Sequence, residues 1–274
     1  MLKNKTLGLA LSGGGVRGAL HIGVLEALEP HKDQIKALSG TSIGAVIGAF
    51  YAAGVPPRKM LEIISNQSLF SMARLGFNRK GLMEMTGLYK LLEKYVPKTF
   101  EELNIPLTVV TTDLGSDDYL PISSGDLHQA VVASCSIPVF FKATEIDGKQ
   151  CVDGGLLNNL PANELVEKVD KIIGVHVNNY AIPEKAESLK TLADKVFSLV
   201  IRQNVKRYKM YCDYWLEPEL PHGSVLDFSS TGEYYEIGRK AGHEFVAHPK
   251  QFRLKKHFLE RFFFRYIDHK YMPY

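Results

Sequence analysis

Ser42 lies between two glycines, in Gly40-Thr41-Ser42-Ile43-Gly44. Residues 35–39 before it read as a short strand, and residues 43–54 after it as a helix of small residues. A serine at such a strand-to-helix turn is forced into a sharp backbone bend. Flanking glycines remove the side chains that would clash there and leave the hydroxyl exposed at the head of a helix. That position suits a nucleophile, because the helix N-terminus favours developing negative charge. An ordinary tight turn between glycines produces the same pentapeptide, so the other groups in the chain must decide.

A second motif, Gly13-Gly14-Gly15-Val16-Arg17-Gly18, follows a first apolar strand and precedes a helix. It matches the dinucleotide fingerprint Gly-x-Gly-x-x-Gly, with Asp33 about 20 residues on. Asp33, however, falls in the polar turn His31-Lys32-Asp33-Gln34 rather than at a strand end, and Arg17 puts a bulky charge where a phosphate should approach. The alternative use of such a loop is an oxyanion hole, in which successive N–H groups aim at one developing negative oxygen.

A serine needs a base. Nine histidines are available, none within a signature; His21 and His243 fall in helices and His176 in a strand, while His222 and His248 remain open. Asp153 is the more distinctive candidate. It ends a strand, is followed by Gly154 and Gly155, and leads into Asn158-Asn159-Leu160-Pro161 and an expected helix. A carboxylate serves as base when burial raises its pKa toward the working pH. Asp-Gly is also a common turn pair.

The elements that must position these groups alternate. Strands are expected at residues 7–11, 35–39, 107–112, 119–122 and 171–177, and a hairpin at 144–152 turns on Asp147-Gly148. Helices are expected at residues 19–28, 58–66, 87–95, 127–135, 189–211 and 233–247, besides the one after Ser42. The helix at 189–211 is long and amphipathic, with Leu189, Leu192, Val196, Leu199, Val200 and Gln203 in register. Such alternation implies an α/β fold with a mostly parallel sheet covered on both faces.

The 274 residues carry a net charge of +3. From residue 249 onward seven Lys/Arg face two acids, so this tail carries +5 and the rest of the chain −2. The chain therefore divides into a domain at 1–248 and a basic aromatic tail at 249–274. The tail suits peripheral contact with anionic lipid or docking on the protein's own body. A nucleic-acid role does not fit a slightly acidic domain. Cys135, Cys151 and Cys212 read as buried small hydrophobes in a reducing compartment. Neither a signal peptide nor a transmembrane segment is seen, so a cytoplasmic location is expected. Met60, Met72, Met83 and Met85, with residues 137–141, could cap an acyl-chain pocket or pack on the core.

Taken in order, Gly-Gly-Gly-x-Arg-Gly, Gly-x-Ser-x-Gly, the segment from Ala133 to Phe140 with its Pro138, and Asp-Gly-Gly-Leu-Leu-Asn-Asn-Leu-Pro resemble the patatin-like phospholipases. The resemblance covers residues 7–177. It implies a three-layer α/β/α sandwich and a Ser–Asp dyad, Ser42 as nucleophile and Asp153 as base, with no metal and no cofactor. It further implies oxyanion N–H groups from Gly14 and Gly15, in a loop shaped by Gly13, Arg17 and Gly18, and cleavage of a lipid substrate through an acyl-enzyme. An acyltransferase or thioesterase would use the same serine, although malonyl-transferase relatives place His where Thr41 stands. A non-catalytic nucleotide- or lipid-binding module would use the glycine loop alone.

Overall fold

A computed structural model describes residues 4–65, 84–179, 189–221 and 230–255. Its strands are β1 (Leu7–Leu11), β2 (Ile35–Thr41), β3 (Leu107–Asp113), β4 (Asp118–Ile122), β5 (Thr144–Ile146), β6 (Lys149–Asp153), β7 (Lys171–Val175) and β8 (Tyr214–Leu216). The helices are α1 (Ala19–Leu28), α2 (Ile43–Ala52), α3 (Pro57–Ser65), α4 (Thr86–Tyr95), α5 (Leu127–Ser134), α6 (Leu189–Lys209) and α7 (Thr231–Ala247). β3, β2, β1, β7 and β8 lie side by side in that order and run parallel. β4 and β6 pair antiparallel with β3, and β5 extends the edge beyond β6.

Side chains alternate across the central strands, as the two-residue period of a strand requires. Leu9, Leu11, Val175 and Val177 join one apolar cluster with α1, α2 and α7; Ala10, Ala37 and Ile172 join another with Ile201, Val205 and Trp215. Helices thus cover both faces, which gives the three-layer sandwich. Every residue of α2 is buried. Its run of Gly44, Ala45, Gly48, Ala49 and Ala52 lets the helix sit close on the sheet, and Gly54 beyond it adopts φ 87°, so the helix stops before the residue expected.

α1 and α7 approach backbone to backbone. A Cβ on Gly238 would lie 2.1 Å from the Leu20 carbonyl oxygen, and one on Gly23 would lie 2.1 Å from that of Tyr235. Gly238→Ala should therefore force the two helices apart and cost about 1–3 kcal/mol of stability. The check is the urea midpoint, which should fall; an unchanged midpoint would mean the helices have room to spare.

The helix expected after Pro161 is a single 3-10 turn, Ala162–Leu165. The tail's first residues are attached to the domain: the Trp215 N–H donates to the Phe252 carbonyl, the Leu254 N–H donates to that of Asp213, and Phe252 packs edge-on against Phe245. The remainder of the tail, 256–274, lies outside the described residues, as do His222, Met72 and Met83. Met60 and Met85 are buried in the larger core cluster. Among the described residues no helix is long and apolar enough to cross a membrane.

Candidate active site

β1 and β2 are parallel neighbours with Leu11 opposite Gly40, so the glycine loop and the Ser42 turn leave the sheet side by side at its carboxyl edge. Open α/β sheets place their sites at this edge. Asp153 reaches the same place by the opposite route. β6 runs antiparallel to β3 and ends with Asp153 opposite Thr111, while the preceding β3 residue, Val110, lies opposite Thr41. Ser42 and Asp153 are thus brought to one point, near enough for the Ser42 side chain to act on the Asp153 carboxyl.

Ser42 is half-buried and holds φ 53°, ψ −125°. A non-glycine residue in this left-handed region is strained, and such strain concentrates at functional turns. Its surroundings over-determine it. The Ser42 N–H donates to Ser134 Oγ at 2.8 Å, and that hydroxyl donates to the Val110 carbonyl at 2.7 Å. Gly40 and Gly44 are required by close approach: a Cβ would lie 2.5 Å from the Gly44 oxygen in the first case and 2.2 Å from the Leu11 oxygen in the second.

Asp153 is almost fully buried, and loss of water raises its carboxyl from 3.8 to about 6. The hydrogen bond from the Gly155 N–H, 2.7 Å from Oδ1, and the nearby Ser42 side chain pull the other way. Burial prevails, so the group titrates just below neutrality. Gly154 supports this turn by packing against the Val110 carbonyl, 2.3 Å from where its Cβ would be.

The Gly13 N–H already donates to the Asn159 carbonyl at 3.1 Å. No described residue accepts a hydrogen bond from the N–H of Gly14 or Gly15, and both residues are partly exposed. Arg17 is buried at 2% exposure and donates to Asn178 Oδ1 at 2.8 Å, while Asn178 Nδ2 donates to the Gly13 carbonyl at 2.7 Å. Gly18 packs on Ile43, directly after Ser42. The loop is held against the serine turn by a buried polar network, and among the described residues nothing accepts from the N–H groups of Gly14 and Gly15.

Asp33 lies in the 3-10 turn Glu29–Gln34 at the amino end of β2, opposite to the glycine loop, where it cannot meet a nucleotide held there. No histidine among the described residues bonds Ser42. His21 is buried, bonds the Ser12 carbonyl through Nε2, and is lowered to about 4 by burial. His176 pairs with Glu217 at 2.7 Å, and His248 is exposed at the end of α7. Among the described residues no cluster of His, Cys, Asp or Glu could hold a metal ion.

Several neighbours were given no role at the site from the sequence. Cys135 is buried; burial and the Asp153 charge raise its thiol well above the ordinary value, so it stays protonated. Ser134 fixes the serine amide. Asn204 of α6 accepts from the Asn159 N–H at 2.9 Å and donates to the Gly155 carbonyl at 2.9 Å, tying α6 to the Asp153 turn. The Asp153 N–H donates to the Ser136 carbonyl at 3.0 Å, which anchors the following loop, where Val139 is 80% exposed with φ 74°.

Residues 9–166, more than half of the chain, match the family described as Patatin-like phospholipase. The chain belongs to this family. A Mycobacterium tuberculosis protein described as an uncharacterized NTE family protein is 32% identical over 62% of the chain and 48% of its own length. Human patatin-like phospholipase domain-containing protein 6 is 27% identical over 88% of the chain and 20% of its own length. Lysophospholipase NTE1 of Kluyveromyces lactis is 24% identical over 90% of the chain and 20% of its own length. The chain thus spans about half of the mycobacterial relative and a fifth of the other two. In fold it is similar to VipD from Legionella pneumophila, with a TM-score of 0.50 over 88% of this chain and 65% of that one, at 15% identity.

Proposed function

We propose that this patatin-like protein is a serine acyl hydrolase that cleaves ester bonds of phospholipids or lysophospholipids through an acyl-enzyme on Ser42. The observation that carries the reading is the pairing of a strained, accessible Ser42 with a buried Asp153 beside two uncommitted N–H groups. At neutral pH the Asp153 carboxylate is mostly ionised and accepts the Ser42 proton as Oγ attacks the ester carbonyl. The carbonyl oxygen becomes negative and takes hydrogen bonds from Gly14 and Gly15. Collapse breaks the ester C–O bond, and Asp153 returns the proton to the departing alkoxide. A water then gives its proton to Asp153 and attacks the acyl carbonyl, and the second collapse releases the fatty acid and reprotonates Ser42. Every step uses groups of this chain and water.

Membership of the family supports the reaction class, and the lysophospholipase name of one relative supports single-chain phospholipids among the substrates. The test is fatty-acid release from phospholipid, lysophospholipid and triacylglycerol, with wild type beside Ser42→Ala. Release from at least one phospholipid class that vanishes with the serine is expected. Absence of release from all three, with the protein folded, would overturn the reading.

A further inference from the structure

α6 changes character along its length. From Ile201 onward it is a packed helix, with Ile201, Val205 and Tyr208 buried on the sheet. Before that point Leu192, Val196 and Leu199 are 48%, 52% and 48% exposed. At about 100° per residue these three gather on the side opposite Ile201 and Val205. The apolar register of this helix therefore faces outward in its first half.

The topology places that half. α6 joins the parallel neighbours β7 and β8, so it runs against the strand direction and begins at the carboxyl edge, where Ser42 lies. Asn204 marks the level of the Asp153 turn through its bonds to Gly155, Leu156 and Asn159. With a rise of about 1.5 Å per residue, Val196 lies roughly 12 Å and Leu192 roughly 18 Å farther along the axis, on the outer side of that edge. The helix carries six Lys/Arg against one acid, Asp194. Lys206 and Arg207 are exposed, on the same outward side as Leu199.

We propose that the first half of α6 is a docking surface for an anionic lipid layer. Leu192, Val196 and Leu199 enter the acyl region, Lys206 and Arg207 meet the headgroups, and Asn204 holds the Asp153 turn at the interface. The biological purpose rests on the proposed lipid-ester chemistry, but the binding itself does not require Ser42.

The experiment is co-sedimentation of the full chain with phosphatidylcholine vesicles, with and without phosphatidylglycerol. Wild type, Ser42→Ala, the triple variant Leu192→Gln/Val196→Gln/Leu199→Gln, and Lys206→Glu/Arg207→Glu are compared, with melting curves to verify folding. Wild type and Ser42→Ala should bind the anionic vesicles equally. The triple variant should bind at least tenfold more weakly, yet hydrolyse a water-soluble short-chain ester within twofold of wild type. The charge reversal should weaken binding to anionic vesicles severalfold and leave binding to neutral ones unchanged. Vesicle binding by the folded triple variant equal to wild type would overturn the proposal. So would a wild-type dimer that the triple variant converts to monomer with vesicle binding intact, since a second copy would then cover the stripe. If no variant hydrolyses any ester while the binding differences hold, the catalytic reading fails and the docking surface stands.

Discussion

Ser42→Ala should lower ester turnover by about 10⁴-fold or more, the scale seen when a nucleophile acting as part of a unit is removed. It should also abolish covalent labelling by a fluorophosphonate. The expectation rests on geometry: the Ser42 turn after β2 and the end of β6, where Asp153 stands, meet at the carboxyl edge. Labelling that survives the substitution would remove Ser42 from the role. The same position predicts a stability effect of unusual sign. Ser42 occupies φ 53°, ψ −125°, a conformation that L side chains reach at a cost of about 1–3 kcal/mol. Glycine adopts it freely. Ser42→Gly should therefore be as inactive as Ser42→Ala but more stable by about 1–2 kcal/mol, within that same range. Equal melting temperatures for the two variants would show that the turn stores no strain.

The parts of this site that were legible in the sequence are those encoded locally. Residues 7–11 and 19–28 form the strand and helix their patterns predict, because a buried parallel strand reads as a short apolar run ending at the glycine loop. The Asp147-Gly148 hairpin is equally local, with φ 50° and 77° at its two residues. Gly-x-Ser-x-Gly announces a bend because only glycine fits both flanks. The Asp-Gly-Gly run at a strand end marked Asp153 as a candidate base and the resemblance paired it with Ser42; the sequence does not state strand direction, and the antiparallel run of β6 is what brings its end to the Ser42 turn. Ser134, Asn178 and Asn204 were illegible for a different reason. Each is a neutral residue whose bond spans 92, 165 and 45 positions, to Ser42, Gly13 and Asn159. No periodicity marks them. β8 escaped notice because three residues at the end of the parallel run are too few to show a pattern.

Asp153→Asn should separate catalysis from stability. The variant keeps an oxygen for the Gly155 N–H but has no lone pair basic enough to take the serine proton, so kcat/KM should fall by about 10²–10⁴. In wild type, kcat/KM should rise tenfold per pH unit below about 6 and level off above it, because the base must be ionised. The stability effect runs in the opposite direction. The folded carboxyl titrates near 6 against 3.8 when unfolded, so between those values the native state binds more protons than the unfolded one. Native stability then declines as pH rises through that window, and above it the buried charge costs about 3 kcal/mol at 1.36 kcal/mol per unit. Asparagine carries no such charge. Asp153→Asn should accordingly be the more stable protein at pH 8 by up to about 3 kcal/mol, with the gap closing below about pH 4. Urea titrations of both proteins at pH 4 and pH 8 measure this. Loss of activity without a pH-dependent gain in stability would mean that Asp153 is not an unrelieved buried charge, and retained activity would take the base away from it. The two results are linked physically: the desolvation that raises the basicity of this carboxylate is the same desolvation that destabilises the fold.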